Sequence, residues 1–112
     1  MSERGNNSFF IKLASNYHQV PRADIGWLSA KGNYCLIHSV NNQNFKVKSS
    51  LVRLLLILGE NEFVRTHKNY AVNIDKVEVY DPSGKIFIGA DEIPLSRSYK
   101  TQFEEKLNFL FP

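Results

Sequence analysis

The chain has 112 residues, of which 43% are hydrophobic, 12% aromatic and 22% charged, and these proportions are typical of one soluble globular domain. Cys35 is the single cysteine, the longest apolar run is too short to span a bilayer, and no signal-peptide pattern opens the chain, so we expect a cytoplasmic protein without an internal disulfide. The net charge of +3 favours anionic partners only where the basic residues cluster.

The sequence opens on a polar segment that is followed by a predicted β-hairpin. Residues 1–8 are polar and show no periodicity, so we expect a flexible segment or linker before a single domain that spans residues 9–112. Two short apolar runs, at residues 9–13 and 17–20, flank a Ser-Asn turn and predict two antiparallel strands.

Three further strands are predicted before the first helix. Residues 23–29 are expected to be extended, with Ile25 and Trp27 on one face, and a Lys-Gly-Asn turn then leads into a strand at residues 34–40. Apolar residues and lysines alternate at residues 45–48, which predicts a half-buried strand.

A leucine-rich helix is predicted at Leu51–Leu58, with Ser49 or Ser50 as its N-cap and Gly59 just past its end. Helical spacing predicts a core face and an outer face. The core face consists of Leu51, Leu55 and Leu58, and the residues left toward the sides and the outside are Leu54, Leu56 and Ile57. The second set is either covered by neighbouring elements or forms an interface with a second domain or a second copy.

The C-terminal part is predicted to hold a hairpin, a short strand and a helix. An Asp-Pro-Ser-Gly turn separates strands at residues 77–80 and 85–88, and a short strand follows at residues 92–95. The last helix begins at Ser96 or Ser98. Its apolar stripe consists of Tyr99, Phe103, Leu107 and Leu110. These elements predict a mainly β fold with one short helix and one C-terminal helix.

The sequence shows no catalytic or metal-binding constellation. Cys35 and His38 form a lone C-x-x-H motif, but residues i and i+3 of a strand point to opposite faces and cannot share a metal ion. The histidines lie in separate elements without a nucleophile or paired-carboxylate signature, and the six glycines form no phosphate-binding loop. We therefore predict no enzymatic activity, no metal and no cofactor.

Residues 63–73, FVRTHKNYAVN, interleave basic and amide side chains with aromatic and β-branched ones. This segment resembles the signature F-x-R-x-H-[RK]-[SN]-[YF]-x-V-N of the LytTR family of bacterial DNA-binding domains. Further motifs of that family follow the same order along the chain, and the resemblance covers roughly residues 8–110. These motifs are Asp24-Ile25, KGNY at residues 31–34, FKVKSSL at 45–51 and IPLSRSY at 93–99.

The resemblance implies an elongated arrangement of short antiparallel sheets that contacts DNA through loops instead of through a recognition helix. It implies the output domain of a bacterial response regulator in a two-component system, which acts in transcription regulation and is commonly joined to an N-terminal receiver domain. The implied partner is double-stranded DNA, with the loops in successive grooves and two copies on direct repeats. We expect the free domain to be a monomer.

Carried over by position, the resemblance implies DNA contacts by Tyr34 in a first loop, Lys68 in a middle loop and Arg97 in a last loop. Arg97 lies between a predicted strand and a predicted helix, which would hold its guanidinium for a bidentate contact with guanine. Further candidates for DNA contact are Lys31, Asn33, Asn69, Ser98 and Lys100.

A structural alternative stays open for each of these contacts. Arg97, at the start of the helix, would instead pair with Glu92 or another nearby carboxylate. Lys68 would simply be solvated while Asn69 supports a turn, and Tyr34 would cap the core at the end of a strand.

Arg65, His67 and Asn73 are candidates for supporting the middle loop. Arg65 and His67 alternate with smaller residues and are predicted to project from one side of an extended segment, where they either touch phosphate or orient the loop. A neutral His67 bound to a backbone carbonyl would hold the loop that carries Lys68. The Asn73 amide would close the turn after the strand.

The competing hypothesis is a small β-rich domain that binds protein and no nucleic acid, with basic residues that serve solubility. RNA is a weaker alternative, because the paired exposed aromatic residues of RNA-stacking sheets are not evident. Salt separates the two main hypotheses. The logarithm of a duplex binder's affinity falls by about 0.9 per phosphate contact for each tenfold rise in salt, and a protein-binding surface shows little such slope.

Overall fold

The structure is a computed structural model, and it describes residues 8–110. The predicted N-terminal segment lies outside these residues except for Ser8, which opens the first strand. The strands are β1 (Ser8–Leu13), β2 (Asn16–Pro21), β3 (Ile25–Lys31), β4 (Tyr34–Ser39), β5 (Asn44–Val47), β6 (Phe63–His67), β7 (Tyr70–Asn73), β8 (Val79–Asp81), β9 (Lys85–Ile88) and β10 (Asp91–Pro94). The helices are α1 (Leu51–Leu58) and α2 (Arg97–Glu105).

The described strands form three antiparallel sheets. The central sheet has five strands in the order β5-β4-β3-β7-β6, the hairpin β1-β2 stands apart from it, and β10-β9-β8 form the third sheet. The molecule measures 47 × 40 × 25 Å along its principal axes, so it is flattened along one axis. The predicted fold class, a mainly β arrangement of short antiparallel sheets with one short and one C-terminal helix, is confirmed.

Each face of the central sheet has its own hydrophobic core. On one face, α1 and the opening hairpin pack around residues such as Leu28, Leu55 and Phe63. On the other face, the third sheet and α2 pack around residues such as Ile86 and Phe103. This arrangement follows from the alternation of side chains along a strand, which lets one strand serve both cores.

The predicted placement of Ile25 and Trp27 on one face is wrong. A shift in the β3–β4 register between these residues puts Ile25 in the core beneath α1, whereas Trp27 lies on the opposite face with its ring 3.5 Å from the stacked His38 ring. Such a bulge inserts one residue and reverses the side on which the following side chains lie. The chain just before β3 is also not extended, because Arg22–Asp24 form a 3₁₀ turn.

Helix α1 has the predicted bounds, cap and core face. The Ser50 hydroxyl accepts a hydrogen bond from the Arg53 amide at 3.1 Å, and Gly59 follows the helix with φ of 103°, a conformation that side chains rarely adopt. The buried residues of the helix are Leu51, Leu55 and Leu58. Of the residues predicted to lie toward the sides and the outside, Leu54 is half-buried, whereas Leu56 and Ile57 are 68% and 55% exposed.

Leu56→Glu is expected to change the free energy of unfolding by no more than about 0.5 kcal/mol, because the side chain is exposed. Leu55→Ala, on the buried face of the same helix, is expected to cost about 2–5 kcal/mol. Urea denaturation of both variants measures these free energies. A loss of several kcal/mol for Leu56→Glu would contradict its position.

Helix α2 is shorter than the predicted apolar stripe. It ends at Glu105, and the next two amides, of Lys106 and Leu107, bond to the carbonyls three residues before them, which tightens the chain into a last 3₁₀-type turn. Leu107 still packs against the core, but Leu110 is 85% exposed. The helical stripe that faces the sheet is therefore made by Tyr99 and Phe103, and the prediction that Leu107 and Leu110 extend it along the helix is wrong.

Candidate nucleic-acid interface

Two hairpin turns lie side by side at one end of the central sheet. Strand β3 ends at Lys31 and its antiparallel neighbour β4 begins at Tyr34. Strand β7 is antiparallel to β3 on its other side, so β7 begins where β3 ends. The Ala30 amide donates a 2.9 Å hydrogen bond to the Asn69 carbonyl, which joins the β6–β7 turn directly to the end of β3.

The start of α2 lies at the same end of the sheet. The Ser96 amide donates a 2.8 Å hydrogen bond to the carbonyl of Thr66, next to the residue that ends β6. Arg97 is the first residue of the helix, so its backbone is held against the sheet while its side chain is exposed. Three segments, at residues 31–34, 68–69 and 96–100, are thus tied to one another through the backbone, and we call this surface the basic end.

Charge is distributed unequally between the two ends of the sheet. The basic end holds four basic residues, Lys31, Lys68, Arg97 and Lys100, and its three segments contain no carboxylate. The segments at the other end, just before β3, just before β6 and just after β7, hold carboxylates together with the basic residues Arg22 and Lys76. These carboxylates are Asp24, Glu62 and Asp75, and Glu62 forms a 2.8 Å ion pair with Arg22. An anionic polymer is therefore attracted to the basic end.

The β6–β7 turn is held by two side chains of β6. The Arg65 guanidinium donates to the carbonyl of Lys68 and, at 3.3 Å, to the carbonyl of His67. His67 Nδ1 accepts a 3.0 Å hydrogen bond from the Asn69 amide. The expectation that His67 binds a backbone carbonyl is therefore wrong: Arg65 takes the carbonyls of the turn and His67 takes the amide hydrogen.

The prediction that Arg65 and His67 project from one side of the strand is wrong, because a register shift lies between them and their partners on β7 belong to opposite faces of the sheet. The two residues pair with Ala71 and Tyr70, which are neighbours, so one residue of β6 bulges between them. That residue, Thr66, is fully buried.

Asn73 acts at the opposite end of β7 from the turn. Its Nδ2 donates to the Ile25 carbonyl at 2.9 Å, and its Oδ1 accepts from the Asp75 amide at 3.1 Å, which caps the 3₁₀ turn Ile74–Lys76. Asn73 therefore ties β7 to β3 and does not reach the basic end.

Tyr34 is 42% exposed and does not cap the core, which removes that alternative. The Lys46 Nζ lies 4.3 Å from the centre of the Tyr34 ring, within the range of a cation–π contact. Lys46 is a basic residue at this surface that sequence reasoning did not select. The pairing of β4 with β5 would have indicated this contact. It sets Lys46 opposite Leu36, and Tyr34 lies two residues from Leu36 on the same face of the sheet.

The remaining candidates lie on the three segments of the basic end. Asn33, Lys68, Asn69 and Ser98 are exposed, and Lys100 is half-buried. Among residues 8–110 no ion pair joins Arg97 to Glu92, and the Arg97 side chain has no acidic partner there. The structure therefore does not contain the alternative in which Arg97 forms an ion pair with a carboxylate at the start of the helix.

Cys35 and His38 lie on opposite faces of β4, as the C-x-x-H spacing predicts. Burial raises the pKa of the Cys35 thiol and lowers the pKa of the His38 imidazole, whose two nitrogens bond to Ser29 at 2.9 Å and to Asn44 at 3.1 Å. In the described part of the chain, no group of three metal-ligating side chains is placed to hold an ion.

Tyr80 ties the third sheet to α2, because its hydroxyl donates a 2.5 Å hydrogen bond to Glu104. Burial and the neighbouring carboxylate raise the pKa of Tyr80 to about 12. The pKa of an unfolded tyrosine is about 10, so the phenol's contribution to stability is complete below pH 10 and is lost as pH rises from about 10 to about 12. The stability of the wild type relative to Tyr80→Phe is therefore expected to fall over this range in urea denaturation, and a difference that is constant with pH would contradict the assignment.

Between residues 8 and 110, no helix has the length and apolar character that a membrane crossing requires.

The fold and the basic end define a class of protein: a mainly β module whose cationic surface is built from turns and a helix start. A family model for the LytTr DNA-binding domain, LytTR, matches residues 15–108, and the chain belongs to this family of DNA-binding domains. No curated protein sequence matches the chain.

Among solved structures, the chain is similar to the LytTr DNA-binding domain of a protein from Bacillus cereus that is described as a methyl-accepting/DNA response regulator. The two share 21% sequence identity with a TM-score of 0.79, and the match covers 92% of this chain and 98% of the other. At this identity the likeness bears on the fold alone, and it agrees with the predicted LytTR-like architecture.

Proposed function

We propose that this chain is a cytoplasmic, non-enzymatic module that binds double-stranded DNA sequence-specifically, as the output domain of a bacterial transcription regulator. The observation that carries the proposal is the basic end: three adjacent segments with four basic residues and no carboxylate, joined to one another by backbone hydrogen bonds. Rigid turns of this kind present lysine and arginine to phosphates and base edges.

Each segment has a proposed role in this complex. Arg97 reads guanine in a major groove, since its backbone is anchored through Ser96 and its guanidinium is exposed. Lys68 and Asn69 enter the intervening minor groove on a narrow hairpin turn, and Tyr34 reaches the next major groove.

Phosphate contacts fix the register of the domain on the duplex. The proposed phosphate contacts come from Lys31, Asn33, Ser98, Lys100 and Lys46. The first turn of α2 adds to them, because the Ser96 side chain makes no capping hydrogen bond and leaves the first amides of the helix available to an anion.

The regulatory context belongs to the same proposal. We propose that the free domain is a monomer, that two copies bind direct repeats, and that a receiver or another regulatory domain controls the full regulator. Selection of binding sites from random duplex DNA tests sequence specificity and repeat spacing together. Enrichment of no motif would reject sequence-specific binding.

Salt dependence separates duplex binding from the protein-binding alternative. We expect the logarithm of affinity to fall steeply as the logarithm of salt concentration rises, by about 0.9 per phosphate contact. A slope near zero for the selected duplex would favour a protein-binding surface.

Lys68→Ala is expected to weaken duplex binding, because it removes the charge at the tip of the middle turn. If Lys68 contacts phosphate, the loss is uniform over sequences and the salt slope becomes shallower by about one. If Lys68 reads a groove edge, the loss concentrates at one position between the two major-groove sites. Fluorescence anisotropy with a panel of single-base variants distinguishes these results.

Lys76→Ala is the matched control for this experiment. Lys76 follows the opposite end of β7, so it carries the same charge at the far end of the sheet. We expect its substitution to leave affinity nearly unchanged. Wild-type affinity of Lys68→Ala at low salt would reject the middle-turn contact.

A further inference from the structure

An apolar groove of about 480 Å³ lies between β1, β5 and α1. Core residues form its floor, since Ile25, Ile37 and Leu58 line it and are almost completely buried. Two large apolar residues stand at its rim, because Phe10 is 65% exposed and Ile57 is 55% exposed. The groove therefore leads from the solvent to the hydrophobic core beneath α1.

The groove exists because two sheets of the described structure do not join. Strand β1 pairs with β2, and β5 pairs with β4, so the outer edges of β1 and β5 both border the groove. Residues of α1 close its third side, among them Leu54 and Ile57. These are two of the three residues for which the sequence suggested an interface, whereas Leu56 of the same helix does not line the groove.

The charges around the groove have one sign. Lys12, Lys46 and Lys48 line it, and none of the described lining residues is acidic. The Lys46 ammonium lies 4.3 Å from the centre of the Tyr34 ring, whereas the Lys12 ammonium lies 6.0 Å from the centre of the Tyr17 ring, at the limit of a cation–π contact. Lys12 and Lys48 are therefore the exposed cations of the groove that are more available to a ligand at its rim. An apolar cleft of this volume with a few polar groups at its edge is the usual form of a small-molecule site.

We propose that this groove binds a single-chain anionic amphiphile of the fatty-carboxylate class. The hydrocarbon chain lies along Ile25, Ile37 and Leu54, and the carboxylate meets Lys12 or Lys48. A flexible chain of methylenes suits an apolar groove with a floor of core residues, and the uniform positive charge of its lining selects an anionic head group. This site shares Lys46 with the proposed DNA contacts, and its other lining residues lie outside the three segments of the basic end.

Calorimetric titration of the full chain with decanoate, below its micelle concentration, tests the proposal. We expect saturable binding of one ligand per chain, with an affinity about fourfold higher for each methylene added between octanoate and decanoate. Nonyltrimethylammonium, which has the same nine-carbon alkyl chain and the opposite charge, is expected to bind at least about tenfold more weakly. Absence of saturable binding, or equal affinity for the cation, would overturn the proposal.

Two adjacent substitutions locate the ligand. Ile57→Asp places a negative charge at the rim and is expected to reduce decanoate affinity by about tenfold or more. Leu56→Asp introduces the same group one residue away on an exposed position outside the groove, and its affinity is expected to stay within about twofold of the wild type. Equal effects of the two variants would reject this groove as the binding site.

Amide chemical shifts of the wild-type chain provide a second measurement that needs no variant. Decanoate is expected to shift the amide signals of Ala14, Ile25, Ile37 and Val47, which line the groove. Shifts confined to other surfaces would overturn the proposal even if the ligand binds.

Discussion

Arg97→Ala is expected to cost about 1–3 kcal/mol of binding free energy against the preferred duplex and to relax the preference at one base step. The guanidinium can donate two parallel hydrogen bonds to the O6 and N7 atoms of guanine, and alanine removes both. The fold is expected to be unaffected, because the Arg97 side chain is exposed and the anchoring hydrogen bond of Ser96 comes from the backbone.

Two control variants separate recognition from charge. Arg97→Lys keeps the positive charge but not the planar fork, so we expect it to recover nonspecific affinity and not the base preference. Lys106→Ala removes an exposed positive charge at the opposite end of α2 from Arg97 and is expected to leave the preference unchanged. Fluorescence anisotropy with single-base variants of the selected site measures the affinity and the base preference of each variant. An unchanged base preference for Arg97→Ala would remove Arg97 from the base-reading residues.

Phe103→Ala is expected to lower the free energy of unfolding by about 3–5 kcal/mol. Phe103 is fully buried, and its ring meets the Tyr80 ring edge-on at 5.2 Å between α2 and the third sheet. Its truncation leaves a cavity under the helix that begins with Arg97. Because this cavity loosens the support of Arg97, we expect the molecules that remain folded to bind DNA more weakly than the wild type.

Phe109→Ala is the matched control, because Phe109 is 56% exposed just beyond α2. We expect this control to unfold within about 0.5 kcal/mol of the wild type. Phe103→Leu keeps an apolar side chain in the core but changes its shape. Its DNA affinity, measured under conditions in which the variant is folded, tests whether the packing of α2 affects binding apart from the loss of folded protein. Equal stability of Phe103→Ala and Phe109→Ala in urea denaturation would contradict the described core.

The sequence was most informative where structure depends on neighbouring residues. The bounds of α1 follow from the Ser50 cap, the leucine spacing and Gly59, all within one short segment. The turns of the hairpins and the mainly β class follow from local alternation and turn residues in the same way. The motifs around residues 63–73 also identified the family that the match over residues 15–108 establishes.

Tertiary structure alone decided which face several side chains occupy. The bulges beside Trp27 and Arg65 depend on pairing between strands, and the sequence within one strand does not show where an extra residue is accommodated. The prediction that the helical stripe continues to Leu110 is wrong for a related reason. The end of α2 is set by the tightened turn after Glu105, and helical spacing alone does not show where a helix ends.

The basic end and the groove arise from contacts between distant parts of the chain. Residues 31–34, 68–69 and 96–100 meet because β3 lies between β4 and β7 and because Ser96 bonds to the end of β6. The sequence determined which residue types and local elements this protein has. The order of the strands, their registers and the gap between β1 and β5 decided which of those residues share a surface, because side chains far apart in sequence become neighbours only when strands pair and pack.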